Sequence, residues 1–268
     1  MNGPLLTTML KSHAKSILSY TLGSTFYLLL IIYIYPSISQ VEGLNDLIKS
    51  MPESLLKTFG IENGLSSLSD FIAGEYYGLL LLVLLSIFCI LTSASLIAKL
   101  VDNGSMAYLL STPASRMTVV LTQAVVGVIG LFIIIFITTA CGIIVTKFFT
   151  SISDFDMWGF VKMNIVVFLL FFFISSYCFL CSSVCNDSKK AWSIPTAITL
   201  LFYGIDLIGK LSDKLESLRY ASIFYYFNPI EIGRGNEDIF VTCLLFGIAG
   251  VLLYTISAFL FSKRDLPL

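Results

Sequence analysis

Residues 204–211 are the first of three groups whose types and spacing could do chemistry. They nearly spell G-x-x-x-x-G-K-[ST], the loop whose backbone N–H groups and lysine hold nucleotide phosphates. Leu211 stands where that loop needs a hydroxyl for Mg²⁺, and the stretch lies at the end of an apolar run rather than between a strand and a helix. We therefore interpret the match as chance and expect no ATPase site in this chain.

Three of the six cysteines, Cys178, Cys181 and Cys185, are spaced so that they would share one face of a helix. Thiolates placed in this way could converge on a metal ion. The serines interleaved with them instead favour a face of small residues, which lets two membrane helices pack closely. We interpret the stretch as a packing face and expect no metal site.

Two acidic residues are candidates for work inside a membrane. Asp206 lies well inside a predicted span, about one helical turn from its end, and Glu75 lies near the start of another span. Ionisable residues within spans are costly to bury, so they often mark ion or substrate pathways. Asp206 and Glu75 are therefore predicted as possible functional acids. The alternative is that both acids are solvated by water at the ends of the spans and have no functional role.

The elements that must position these residues are membrane spans. Hydrophobic residues make up 57% of the 268 residues, charged residues make up 12%, and the mean hydropathy is +0.91. A helix crosses a bilayer with about 20 apolar residues, and the alternating segments of a β-barrel are absent. The sequence therefore predicts one all-α integral membrane domain, residues 1–268, with six transmembrane helices. The predicted spans are 17–35, 72–98, 118–146, 164–184, 192–209 and 240–261.

The placement of lysine and arginine predicts the orientation of these spans. With six spans, both termini lie on the same side. Each side would carry eight Lys and Arg residues, but those on the side of the termini lie in the tails and two short loops with few acidic neighbours, whereas those of the opposite side lie in longer, acidic loops. Since short cytoplasmic loops carry an excess of Lys and Arg, we predict that both termini are cytoplasmic. The cytoplasmic cations would be Lys11, Lys15, Lys99, Arg116, Lys189, Lys190, Lys263 and Arg264.

Three segments outside the spans have patterns of their own. Residues 1–16 carry apolar residues at helical spacing with lysines on another face, which predicts an interfacial helix, with a soluble tail as the alternative. Residues 211–238 predict an amphipathic, aromatic-rich outer segment before the last span, either in the headgroup layer or as a partly re-entrant hairpin buried in protein. Between the second and third spans, Leu109 and Leu110 precede Pro113 in a polar interruption, which predicts a short helix with an apolar face. A turn lying on lipid headgroups is the alternative for this interruption.

The polar interruption resembles a loop in the membrane subunits of ABC-2 type ATP-binding cassette transporters. That loop has an acidic residue, Gly-Thr or Gly-Ser, two leucines and Pro-x-Ser-Arg. The matching residues here are Asp102, Gly104-Ser105, Leu109-Leu110 and Pro113-Ala114-Ser115-Arg116. The resemblance extends to the N-terminal helix, the six spans, the Met-Pro and Phe-Gly pairs of residues 51–60 and the C-terminal tail. It therefore covers nearly the whole chain. The family more often has Glu where this chain has Asp102.

The resemblance implies a permease subunit with no ATPase site of its own. Such a subunit pairs with a second identical or related permease and with two separate ABC ATPase subunits, which bind ATP and Mg²⁺, while this chain binds no cofactor. The polar interruption would be a cytoplasmic coupling helix, and the short loop after the fourth span would be a lesser ATPase contact. The implied ATPase-coupling residues are Asp102, Gly104, Ser105, Tyr108, Leu109, Leu110, Pro113 and Arg116.

The function implied by the resemblance is ATP-driven export across a bacterial cell membrane. The expected substrate is hydrophobic or amphipathic, such as a peptide, a drug or a lipid-like molecule. We keep two alternatives, an ion-coupled secondary transporter that uses Asp206 and a non-transporting immunity or scaffold protein of the membrane. A net charge of −1 without a concentrated basic face argues against a nucleic-acid partner.

Overall fold

The computed structural model describes residues 3–39, 56, 67–111, 114–149, 155–211, 213–236 and 239–264. Within these ranges the chain is helical and has no strand, and six helices are long and apolar enough to cross a membrane. The prediction of an all-α integral membrane protein with six spans is confirmed. Most described spans extend a few residues beyond their predicted limits; the first begins much earlier, at Gly3, and the fourth ends at Val184 as predicted.

Ten α-helices are described, together with a π-helical turn and two 3₁₀ helices. In chain order they are α1 (Gly3–Ser39), α2 (Leu68–Glu75), the π-helical turn (Tyr76–Leu80), α3 (Leu81–Leu96), α4 (Ala98–Asp102), α5 (Ser105–Leu110), α6 (Arg116–Phe149), α7 (Met157–Val184), α8 (Ser188–Leu211), the 3₁₀ helices (Asp213–Ala221 and Ile223–Tyr226), α9 (Pro229–Arg234) and α10 (Ile239–Lys263). The second span runs from α2 through α4.

Helix α7 lies at the centre of the bundle. It packs against α3, α6, α8, α9 and α10, and buried residues follow it from Gly159 to Ser183. Helix α1 packs mainly against α6. We call the end of the bundle that carries Gly3, α5 and Arg264 the terminal face, and the end that carries the 3₁₀ helices and α9 the opposite face.

The N-terminal segment differs from its prediction. Instead of an interfacial helix over residues 1–16 followed by a separate span, α1 continues without a break from Gly3 to Ser39. The reason is local, because the chain has neither proline nor glycine between Pro4 and Gly23 to end the helix. Leu6, Met9 and Leu10 pack against the apolar cluster at the terminal face, so protein covers much of the predicted lipid-facing surface.

The segment before the last span contains the aromatic residues predicted to make it amphipathic. It forms the two 3₁₀ helices and α9, with Phe224 and Phe227 buried in the main core and Tyr220 exposed.

In the preceding span, α8 continues through Pro195. Membrane helices tolerate such a proline when neighbouring groups satisfy the freed carbonyl. Residues 51–60, which carry the Met-Pro and Phe-Gly pairs, lie outside the described residues, except for the buried Leu56.

Close packing of α10 on α7 gives a stability prediction. A methyl group added at Gly250 would lie 2.5 Å from the Phe172 ring, whereas one at Gly247 would lie 4.0 Å from Leu169. Gly250→Ala should therefore destabilise the protein by about 2 kcal/mol through overpacking. Thermal unfolding of the detergent-purified protein measures this, with Gly247→Ala as the matched control. Equal melting temperatures for the two variants would contradict this packing.

Candidate functional site

The polar interruption between the second and third spans forms a helix–turn–helix at the terminal face. Helix α4 ends at Asp102, and the chain reverses through Asn103 and Gly104 into the six-residue α5. Gly104 has φ +73°, which glycine adopts without the steric cost of a Cβ atom. The Asn103 side chain accepts a hydrogen bond from the Ser105 N–H at 3.1 Å. The turn chemistry therefore fixes where α5 begins.

One face of α5 is buried in the bundle. Met106 is 0% exposed, and Leu109 and Leu110 are half-buried against the same cluster. These three residues have the i, i+3, i+4 spacing of one helix face, so the sequence contained the signal for Met106, which the prediction from the sequence omitted. The cluster joins α3, α4, α6, α7 and α10, and its buried members are Leu96, Ile97, Val101, Met106, Val119, Val120, Ala124, Val126, Phe179, Tyr254, Ala258 and Phe261.

The other face of α5 points away from the protein. Tyr108 is 80% exposed, the largest exposed fraction of any large hydrophobic side chain on residues 102–116 in the described part of the chain. Tyrosine is enriched at protein interfaces, where its ring supplies apolar area and its hydroxyl can hydrogen-bond, so Tyr108 is a candidate contact for a partner. Pro113, also predicted here, lies outside the described residues.

Both ends of this segment are hydrogen-bonded to other spans. Asp102 accepts a hydrogen bond from the Ser188 hydroxyl at 2.7 Å, at the first residue of α8. At the first residue of α6, Arg116 donates to the main-chain carbonyl of Arg264 at 2.8 Å. Of the eight predicted coupling residues, four lie on α5, Gly104 lies in the turn before it, Asp102 ends α4 and Arg116 begins the next span.

Asp206 lies on α8 toward the opposite face and is 3% exposed. Its carboxylate forms ion pairs with Lys210 at 2.8 Å and with Arg219 at 3.2 Å. Lys210 is one turn along the same helix, and Arg219 comes from the first 3₁₀ helix. Two cationic partners satisfy this carboxylate, so the arrangement fixes the 3₁₀ helix against α8 and gives no support to an ion pathway.

Glu75 is exposed at the end of α2, immediately before the π-helical turn. It shares no described hydrogen bond or ion pair with Asp206. The structure therefore does not combine the two predicted acids into one site.

A bidentate ion pair between Asp70 and Arg234, at 3.0 and 3.1 Å, joins α2 to α9 at the opposite face and borders a pocket of about 180 Å³. Hydrogen bonding to Asp70 raises the pKa of the Arg234 guanidinium.

The nucleotide-like pattern, residues 204–211, and the cysteine pattern, residues 178–185, each lie within or directly at the end of a spanning helix. Residues 204–211 lie in the second half of α8 as continuous helix, and Lys210 is paired with Asp206. All six cysteines are free thiols. Among the described residues no group of three or more His, Cys, Asp or Glu side chains could hold a metal ion.

A shallow apolar groove separates α1 from the second span. Its volume is about 540 Å³, and its lining side chains are Ser19, Tyr20, Leu79, Leu80, Val83, Leu84 and Ile87. The groove opens sideways on the surface that a bilayer would surround. Its chemistry suits an acyl chain or another apolar group, because hydrocarbon walls offer few hydrogen-bonding partners.

Six apolar spans define a multi-pass membrane protein, and a packed helix–turn–helix lies at one end of its bundle. The family model for the ABC-2 family transporter protein matches residues 18–266. The chain therefore belongs to the ABC-2 transporter family, as the loop motif predicted, and is a membrane permease component without its own ATPase site. Membership implies association with ABC ATPase components. No curated protein matched the chain in a sequence comparison.

Proposed function

We propose that this chain is the membrane subunit through which two ABC ATPase subunits drive export of a hydrophobic or amphipathic substrate. The observation that carries the proposal is α5, which has an exposed Tyr108 on one face and a buried Met106 on the other. One face can bind a soluble partner while the opposite face is fixed in the membrane bundle. ATP and Mg²⁺ bind to the ATPase subunits, and this chain binds no cofactor.

Tyr108 inserts into a groove of the ATPase as the central contact of the docking surface. Aromatic side chains at the centre of an interface commonly supply much of the binding free energy. Asp102, Gly104 and Ser105 fix the turn that presents the helix, and Leu109 and Leu110 provide its inner edge. The remaining predicted members, Pro113 and Arg116, lead the chain into the third span.

Movement of α5 passes to the spans through the apolar cluster. Met106 contacts a cluster built from α3, α4, α6, α7 and α10, so a displacement of α5 cannot occur without repacking these helices. When the ATPase subunits close, this repacking changes the exposure of a cavity between two permease subunits. The second permease is an identical or related chain.

The terminal face is the cytoplasmic side of a bacterial cell membrane. Five exposed lysines at this face lie in the N-terminal segment or beside short loops, where cations favour the cytoplasmic side: Lys11, Lys15, Lys99, Lys189 and Lys190. This orientation places α5 where the ATPase subunits and ATP are found. Both termini are then cytoplasmic.

The apolar groove between α1 and the second span supports a hydrophobic substrate class. Five of its seven lining residues are aliphatic. A peptide, drug or lipid-like substrate with an apolar segment could enter it sideways from the bilayer. The ion-coupled alternative loses its support because Asp206 already has two cationic partners. No observation favours the non-transporting immunity or scaffold alternative.

Affinity purification of the tagged chain from the membranes of its native host, in mild detergent, tests this proposal. An ATPase subunit should co-purify, and the eluate should hydrolyse ATP in a vanadate-sensitive manner. An intact, membrane-derived chain whose eluate hydrolyses no more ATP than an untagged control would overturn it.

A further inference from the structure

The three-residue loop between α7 and α8, residues 185–187, is held at its far end by α4. Asp102, the last residue of α4, accepts hydrogen bonds from the Ser188 hydroxyl at 2.7 Å and from the Ser188 N–H at 3.4 Å. Ser188 is the first residue of α8. The carboxylate therefore binds the start of α8, where backbone N–H groups lack partners within the helix. This contact joins the beginning of the 102–116 segment to the end of the loop.

The near end of the same loop is held by Arg264, which follows α10. Its guanidinium donates to the Ser183 carbonyl at 2.7 Å, to the Cys185 carbonyl at 3.2 Å and to the Asn186 side-chain oxygen. The Ser183 carbonyl lies in the last turn of α7 and the Cys185 carbonyl directly after it. Carbonyls at a helix C-terminus lack intrahelical partners, and the helix dipole stabilises a cation there. A planar fork of donors can satisfy several of them at once.

Arg264 also receives the other end of the 102–116 segment. Arg116, the first residue of α6, donates to the Arg264 main-chain carbonyl at 2.8 Å. One residue thus joins the start of α6, the end of α10 and the end of α7. Together with the Asp102–Ser188 contact, it connects both ends of the segment that carries α5 to the two ends of one short loop.

We propose that Arg264 is a positioning residue that makes α5, the start of α6 and the 185–187 loop move as one body. The proposal rests on the proposed function, since the ATPase would supply the movement. The loop then carries the displacement of α5 to α7 and α8, and serves as an internal strap rather than as a separate ATPase contact. Charge-assisted hydrogen bonds from one guanidinium suit this role because they fix orientation as well as distance.

A simpler role for Arg264 is to place a positive charge at the end of α7. Lysine would fill that role, because the helix dipole responds to charge rather than to the shape of the donor. Lysine has a single ammonium group and cannot reproduce the fork that contacts Ser183 and Asn186 together. Arg264→Lys therefore separates the two roles.

Spin labels at Ser111 and Lys190, both exposed, test the proposal in the full-length permease in lipid nanodiscs. Labels carried on a non-natural amino acid leave the native cysteines in place. Pulsed electron paramagnetic resonance should give a narrow distance distribution for the otherwise unmodified chain. Arg264→Ala and Arg264→Lys should each broaden it by roughly twofold, because the guanidinium contacts with Ser183, Cys185 and Asn186 are lost while the main-chain contact with Arg116 remains.

Lys263→Ala is the matched control. The Lys263 ammonium lies 4.2 Å from the centre of the Phe259 ring on its own helix, so its removal should leave the width unchanged. A second label pair at Trp158 and Tyr220, on the opposite face, should keep its width in every variant. A wild-type width in Arg264→Lys, or equal broadening of both label pairs, would overturn the proposal. The readout needs no ATPase, so it is independent of whether ATPase docking itself is found.

Discussion

Tyr108→Ala should weaken association of the permease with its ATPase subunits by roughly 30-fold, equivalent to about 2 kcal/mol, the size expected for an aromatic interface hot spot. Tyr108 is 80% exposed, so its truncation removes contact area from a partner and little from the permease. The amount of the variant in the membrane and its melting temperature should therefore match the unmodified chain. Titration of purified ATPase onto nanodisc-embedded permease measures the affinity.

Tyr220→Ala supplies the matched control for this experiment. Tyr220 is 59% exposed and lies on the opposite face, so its truncation should leave ATPase affinity unchanged. If Tyr108→Ala binds the ATPase as tightly as Tyr220→Ala does, α5 is not the docking surface. Aspartates at positions 109 and 110 would give a poorer test, because Leu109 and Leu110 are half-buried and charges there would also disrupt the cluster beneath.

Asp206→Ala should destabilise the permease by about 2–3 kcal/mol. Removal of one member of a buried ion pair typically costs about 3–5 kcal/mol because the partner charge is left uncompensated. Here the side chains of Lys210 and Arg219 are 30% and 21% exposed, so solvent screening reduces the loss. Chemical unfolding in detergent micelles measures the change in the free energy of unfolding.

A double variant distinguishes the structural role of Asp206 from ion coupling. Adding Arg219→Gln to Asp206→Asn should recover part of the lost stability, since the uncompensated cation is removed as well. An ion-coupling role predicts instead that Asp206→Asn leaves stability intact and abolishes proton- or sodium-dependent flux into vesicles that lack ATPase. That result would restore the secondary-transporter alternative.

Hydropathy predicted the spans well because a bilayer imposes the same simple requirement on every spanning helix. What it missed depends on local detail. The continuous α1 follows from the lack of a helix breaker before Gly23, and the π-helical turn at Tyr76–Leu80 has no marker in the apolar pattern. Such turns depend on how neighbouring helices pack, which a single segment does not encode.

The candidate site was predictable only in part, for the same reason. The Asn103–Gly104 turn and the spacing of Met106 with the two leucines are short-range signals. Lys210 could be matched with Asp206 because it lies one turn further along α8. Arg219 could not, since it lies beyond the end of that helix, and the contacts of Arg264 join residues of three different spans.

Photo-crosslinking from position 108 in native membranes tests the docking of an ATPase on α5 most directly. A benzophenone amino acid in place of Tyr108 should form an adduct with a nucleotide-binding ATPase subunit, identified by mass spectrometry of the crosslinked band. The same amino acid in place of Tyr220 should not capture that subunit. Failure to capture an ATPase from position 108, in membranes where the ATPase is present, would contradict the assignment of α5 as the surface through which this transporter receives its driving force.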